Sequence, residues 1–159
     1  MNGGLKKMKL NKFWYYLLNY TWGLPLTIVG WFVALALIIT GHKPRRYGPC
    51  FVFSVGGQNW GGFSIGTTIV VDTDPFNFPQ DPGYHTDILD HEFGHSVQNA
   101  LFGPFMLFVV SIPSMIRYWW ATWKMKRDRG FTLTFDYYSI WFEATASSWG
   151  EENYRRYWT

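Results

Sequence analysis

A single cysteine, Cys50, is all that this 159-residue chain contains, which excludes an intramolecular disulfide and any cysteine-rich structural metal site. Histidine and glutamate are scarce too, with four of each. Residues 1–49 lack acids altogether and carry seven Lys or Arg, whereas residues 50–116 lack bases and carry six acids. Residues 117–159 hold seven bases against five acids, so the net charge of +3 is built from blocks. No nucleic-acid motif accompanies the basic blocks, and they flank apolar stretches. Attraction to anionic lipid headgroups therefore explains them better than nucleic acid does.

What the chain has in excess is aromatic surface: 21% of residues, ten of them Trp. Such a surplus must be buried, stacked at a binding surface or placed at a membrane interface. The length suits one domain with a real core.

The first 49 residues read as a basic and aromatic segment around an apolar helix at about residues 24–40. "LPLTIVGWFVALALIIT" is uncharged but only seventeen residues long, the lower limit for a span, and becomes adequate if Trp22 and Gly23 are included. Lysines before it, a Trp/Tyr cluster at its entrance and "HKPRR" after it resemble membrane anchors. A signal peptide would need a small-residue cleavage site, which "TGHKPRRYG" does not offer. A core helix would have to be enclosed on every side. A membrane anchor, spanning or deep in one leaflet, is the expectation.

Residues 50–159 read as one α+β domain. "CFVFSV" and "FSIGTTIVVD", joined by "GGQNWGG", suggest a pair of strands with a glycine-rich connection, a short hairpin or small sheet. An irregular loop follows. After the next helix, "FMLFVVSIPSMI" and "RYWWATWKMKRDRG" form a membrane-interface segment at about residues 105–129, too short in its apolar part to cross alone.

Between loop and interface segment lies "ILDHEFGHSVQ". As a helix it places His91 and His95 four residues apart on one face, where both imidazoles reach one ion, with Glu92 beside them. Zinc suits that arrangement best. Thr86 or Asp87 can cap the start and "FGPF" supplies the stop. A catalytic zinc site needs a third protein ligand. The metzincin position for a third histidine is Leu101, and the glycine before it is Gln98, so that class is excluded. Asp136, Glu143, Glu151, Glu152, His85 and Asp90 are the candidates. Glu143 is the best of them. Its predicted helix carries Ser139, Ala146, Ser147 and Gly150 on the same face, and small residues there allow a close approach to the His91 helix. Asp90 or Asp136 could orient a ligand histidine.

"HEFGH" followed 48 residues after His95 by "FEATAS" resembles the gluzincin group of HExxH zinc metallopeptidases. It is also similar to small bacterial proteins that put an apolar N-terminal segment before an HExxH-x-x-Q…GP stretch. Gluzincins often carry an aspartate four residues after the glutamate ligand, where this chain has Ser147. The resemblance implies a zincin-like catalytic domain at a bacterial cell membrane that hydrolyses peptide bonds in peptide or protein substrates. Zn2+ would be held by His91, His95 and Glu143, and Glu92 would act as general base on the zinc-bound water and pass the proton to the leaving nitrogen. Tyr137, Tyr138 or Tyr154 is the expected oxyanion partner. The rival expectation is a non-catalytic membrane protein with a structural zinc site.

Topology constrains these expectations. A two-span hairpin, out through 24–40 and back through 100–116, satisfies the positive-inside tendency but strands His91 and Glu143 on opposite sides of the bilayer. With Glu143 as ligand, residues 105–116 must dip into the surface or lie along it. A site-2 type intramembrane protease is disfavoured, because Asp87 and Asp90 would be costly in hydrocarbon.

Overall fold

The computed structural model describes residues 8–57, 60–76, 82–127 and 140–159, with backbone alone for 82–86, 125 and 126. The fold is α+β, with five α-helices around a mixed four-stranded sheet among the described residues. Helix α1 (Lys12–Asn19) starts where the Asn11 side chain accepts the Trp14 N–H at 3.0 Å, an ordinary N-cap. Helix α2 (Leu24–Ile39) follows at an angle of 84°. Trp22 and Gly23 therefore do not lengthen the apolar helix. Pro25 sits in its first turn, a position where the absent N–H costs nothing, and the chain restarts there as a new helix.

The break is held by polar groups. Asn99 donates from Nδ2 to Asn19 Oδ1 at 2.7 Å and to the Gly23 carbonyl at 3.3 Å, and Thr27 donates to the Asn19 carbonyl at 3.0 Å. All three side chains are buried. Helix α2 lies on the sheet by its small residues, Thr27, Gly30 and Ala34. A methyl group at Gly30 would come within 2.2 Å of the Ile65 carbonyl oxygen. The opposite face is open: Phe32 is 68% and Ile39 76% exposed.

Strands β1 (Arg45–Tyr47), β2 (Cys50–Ser54), β3 (Gly62–Ile65) and β4 (Thr68–Val71) pair in the order β1-β2-β4-β3. The two expected runs thus hold three strands, β2, β3 and β4, and β1 is added from the segment before them. "FSIGTTIVV" folds on itself at Gly66, whose φ of +59° suits a tight hairpin turn, and β2 runs parallel to β4. The 49/50 division falls inside the β1–β2 hairpin. Tyr15 of α1 shares one core with Val52, Ile69 and Val71 of the sheet and with Phe93 and Val97.

Helix α3 (Pro82–Phe102) runs through that core. It begins at Pro82, earlier than the expected cap at Thr86 or Asp87, because proline is tolerated in a first turn. It ends where Gly103 takes φ +55°. A 3-10 turn (Gly103–Phe105) and a π turn (Leu107–Ser111) lead into α4 (Ile112–Arg127), and the chain bends by 114°. The π turn sits just before Pro113, whose ring lacks the N–H that a regular helix would return to Val109. Helix α5 (Trp141–Tyr157) completes the fold. Among the described residues no single helix is long and apolar enough to cross a membrane, but the bent pairs α1–α2 and α3–α4 pass that test of composition together.

Candidate metal centre

Helices α3 and α5 cross in backbone contact. A Cβ at Gly94 would lie 1.8 Å from the Ala146 carbonyl oxygen, and one at Gly150 would lie 1.7 Å from that of Asp90. Gln98 Nε2 donates to the Phe142 carbonyl at 2.6 Å. Residues 98, 94 and 90 therefore meet 142, 146 and 150 in turn, which is an antiparallel register stepping four residues on each helix. Glycine at two of the steps brings the axes together, and Glu143, one residue along from Phe142, is aimed at the face that carries both histidines.

Glu143 is wholly buried, at 0% exposure. Its Oε2 lies 3.0 Å from His91 Nε2 and 3.4 Å from His95 Nε2. One donor atom from each of the three residues falls within 4.8 Å of the others. Oε2 thus faces both ring nitrogens at once. Two imidazoles and one carboxylate are the donor set of catalytic zinc sites, so the residues fit that ion.

The remaining atoms of the three side chains are held from behind. His91 Nδ1 is 2.8 Å from Ser147 Oγ, and His95 Nδ1 is 2.8 Å from Gln98 Oε1. Gln98 also donates to Thr145 Oγ1 at 2.8 Å. Ser114 of α4 donates to Glu143 Oε1 at 2.5 Å. Such outer contacts fix ring tautomer and ligand orientation. At His91 the contact is made by the Ser147 hydroxyl.

Glu92 is buried beside the histidines, and its Oε2 has no hydrogen-bond partner. Burial raises its pKa above the usual carboxylate range and Glu143 adds to the rise, against the pull of His95 and His91. Burial also pushes Glu143 up, but the hydrogen bonds from His91 and His95 outweigh it and leave that carboxyl far below the usual range. For His95, burial favours the neutral ring, yet the bond to Glu143 and the charges of Glu92 and Glu143 raise its pKa overall. Strand β3 stands at the edge of the sheet, and a Cβ at its Gly62 would lie 3.1 Å from Glu92 Oε1. No bulky side chain thus separates that strand from the carboxylate.

Other sequence candidates fall elsewhere. Asp90 accepts from the Tyr47 hydroxyl at 2.6 Å and orients no ligand histidine. Glu151 and Glu152 pair with Arg155 and Arg156 on α5. Tyr154 stacks face to face on Tyr47, ring centroids 3.9 Å apart, about three turns along α5 from Glu143. It is therefore not beside the site as an oxyanion partner. The side chain of His85, and Asp136, Tyr137, Tyr138 and Ser139, lie outside the described residues. Cys50 is buried with its thiol pushed up to about 11 by burial, an inert core group. Sequence reasoning missed Ser114 and the role of Gln98. Gln98 could have been noticed as an amide three residues beyond His95 on a face otherwise buried.

No protein-family model, curated protein or solved structure matches this chain.

Proposed function

We propose that this chain is a zinc-dependent endopeptidase acting on peptides or proteins near a membrane. The observation that carries the reading is the convergence of His91, His95 and Glu143 within 4.8 Å, with the buried Glu92 carboxylate, whose Oε2 has no hydrogen-bond partner, next to them. His91, His95 and Glu143 would hold a zinc ion, which would supply Lewis-acid chemistry towards water and the peptide carbonyl. Glu92 takes a proton from the attacking water and delivers it to the leaving nitrogen, a task for which its raised pKa is suited. Gln98 and Ser147 hold the two imidazoles from behind, Ser114 holds Glu143, and the three side chains would thereby be oriented for an ion. The edge strand β3 beside Glu92 offers backbone groups with which an extended substrate can pair.

Glu92→Gln tests the catalytic part. Loss of cleavage of a mixed peptide library with zinc content unchanged supports the reading. Cleavage that survives in the variant contradicts it. The near-complete burial of His95 and Glu143 favours a second reading, a structural zinc staple between α3 and α5. Under that reading the zinc-loaded wild type cleaves nothing.

A further inference from the structure

The two bends of the chain touch each other. The Trp22 ring, between α1 and α2, occupies the space a side chain at Gly103 would need, with the nearest ring atom 2.4 Å from the ideal Cβ. Trp22 donates from Nε1 to the Leu101 carbonyl at 3.2 Å, and its ring centroid is 5.9 Å from that of Phe105. Apolar side chains stand exposed on both sides of this contact. Phe32 and Ile39 belong to α2, Phe108 (66%) to the π turn and Trp119 (61%) to α4. No Lys, Arg, Asp or Glu occurs between Lys12 and Lys43 or between Glu92 and Arg117. Cations stand at the ends. Lys124 lies 4.9 Å over the Trp120 ring and Arg127 5.2 Å over Trp123.

We infer that the two bends insert side by side into one leaflet of an anionic bilayer, so that the chain is docked on the membrane from one side and does not traverse it. With bends of 84° and 114°, neither helix pair continues as one straight span. The 3.0 Å approach of Glu143 to His91 forbids the two-span arrangement that would part them. The pattern of an uncharged apolar surface bordered by Trp and cations is that of an interfacial segment. A second copy would set like cations against each other across a self-complementary face, whereas anionic headgroups neutralise them.

The inference deepens the proposed peptidase activity, on which its substrate consequence rests. His95 is eight residues from Gly103, about 12 Å along α3. With the bend in the acyl region of one leaflet, the metal centre stands near the headgroups, and the substrate class is protein segments at the bilayer surface.

The test uses the full chain, purified in detergent and diluted onto sealed vesicles of phosphatidylcholine with or without phosphatidylglycerol, and followed by flotation. The wild type floats, more strongly with phosphatidylglycerol. The Phe32→Asp, Phe108→Asp double variant changes two exposed side chains and keeps its fold and its zinc, and its bound fraction falls by about tenfold or more. Lys9→Cys, Lys43→Cys and Arg127→Cys all react with an impermeant maleimide added outside. Protection of any one of them until the vesicles are lysed overturns docking from one side. A folded wild type that stays unbound, or a dimer dispersed by the double variant without flotation, overturns the lipid partner. Zinc measured in the same fractions keeps the two readings apart, because docking does not need the ion.

Discussion

The Gln98 amide oxygen lies 2.8 Å from Nδ1 of His95, while the amide nitrogen faces the Phe142 carbonyl at 2.6 Å. A carbonyl only accepts, so the amide can take one orientation, and its oxygen must then receive a proton from Nδ1. In the neutral ring this leaves Nε2 unprotonated and turned towards Glu143. One buried side chain thus selects the tautomer that a metal requires and ties α3 to α5 at the same time.

Gln98→Ala removes both functions. Zinc affinity, measured by competition with a chromogenic chelator, is expected to fall about 10- to 100-fold. The Phe142 carbonyl keeps Thr145 Oγ1 as a donor, so the loss of the Gln98 bond costs about 0.5–1.5 kcal/mol in the metal-free protein, measurable by denaturant unfolding.

Ser114→Ala separates orientation from packing. The hydroxyl is small and part-buried, and its bond to Glu143 Oε1 comes from a different helix. Zinc affinity is expected to fall by about tenfold, with a metal-free Tm close to wild type. Unchanged affinity would show that Glu143 needs no such support.

Gly94→Ala and Gly150→Ala test the helix crossing. Each new methyl group would meet backbone, at 1.8 and 1.7 Å, which cannot rotate aside. Destabilisation of about 3 kcal/mol or more is expected for each, with loss of zinc as α5 moves away carrying Glu143. Far-UV circular dichroism and metal content, read together, check it.

The pH dependence follows from the His95–Glu143 pair. The raised His95 contributes stability that is full below its ordinary value of 6.5 and lost as pH rises through its higher folded value. The depressed Glu143 contributes stability that is full above 4.5 and lost as pH falls towards its folded value. Glu92, raised by burial, adds a loss that begins as pH rises above its ordinary value of 4.5. Chelator-treated protein should therefore lose Tm as pH rises above about 6.5, and zinc, which binds the neutral rings, should restore it. A Tm that rises with pH in the chelator-treated protein would contradict the pairing.

Much of the site could be read from local spacing. The four-residue interval of His91 and His95 needs only helix periodicity, and Ala146, Ser147 and Gly150 around Glu143 announced a close helix contact. What escaped depends on contacts distant in sequence. Ser114 reaches Glu143 because the chain turns by 114° after Gly103, and no periodicity records an angle. Asn19, Thr27 and Asn99 are polar positions inside apolar runs, and only their meeting across about eighty residues explains the break at Gly23. The β2–β4 pairing is parallel and non-local, so strand-like texture revealed the strands and not their partners. The Ser147 hydroxyl meets His91 Nδ1 across two helices, a contact that the identity of residue 147 alone does not reveal.

The most direct test of the central claim is the metal content of the purified full chain beside Glu143→Ala, both in detergent and both shown to be folded. About one zinc per chain is expected in the wild type and much less in the variant. A folded wild type without zinc, or equal zinc in both proteins, would contradict it.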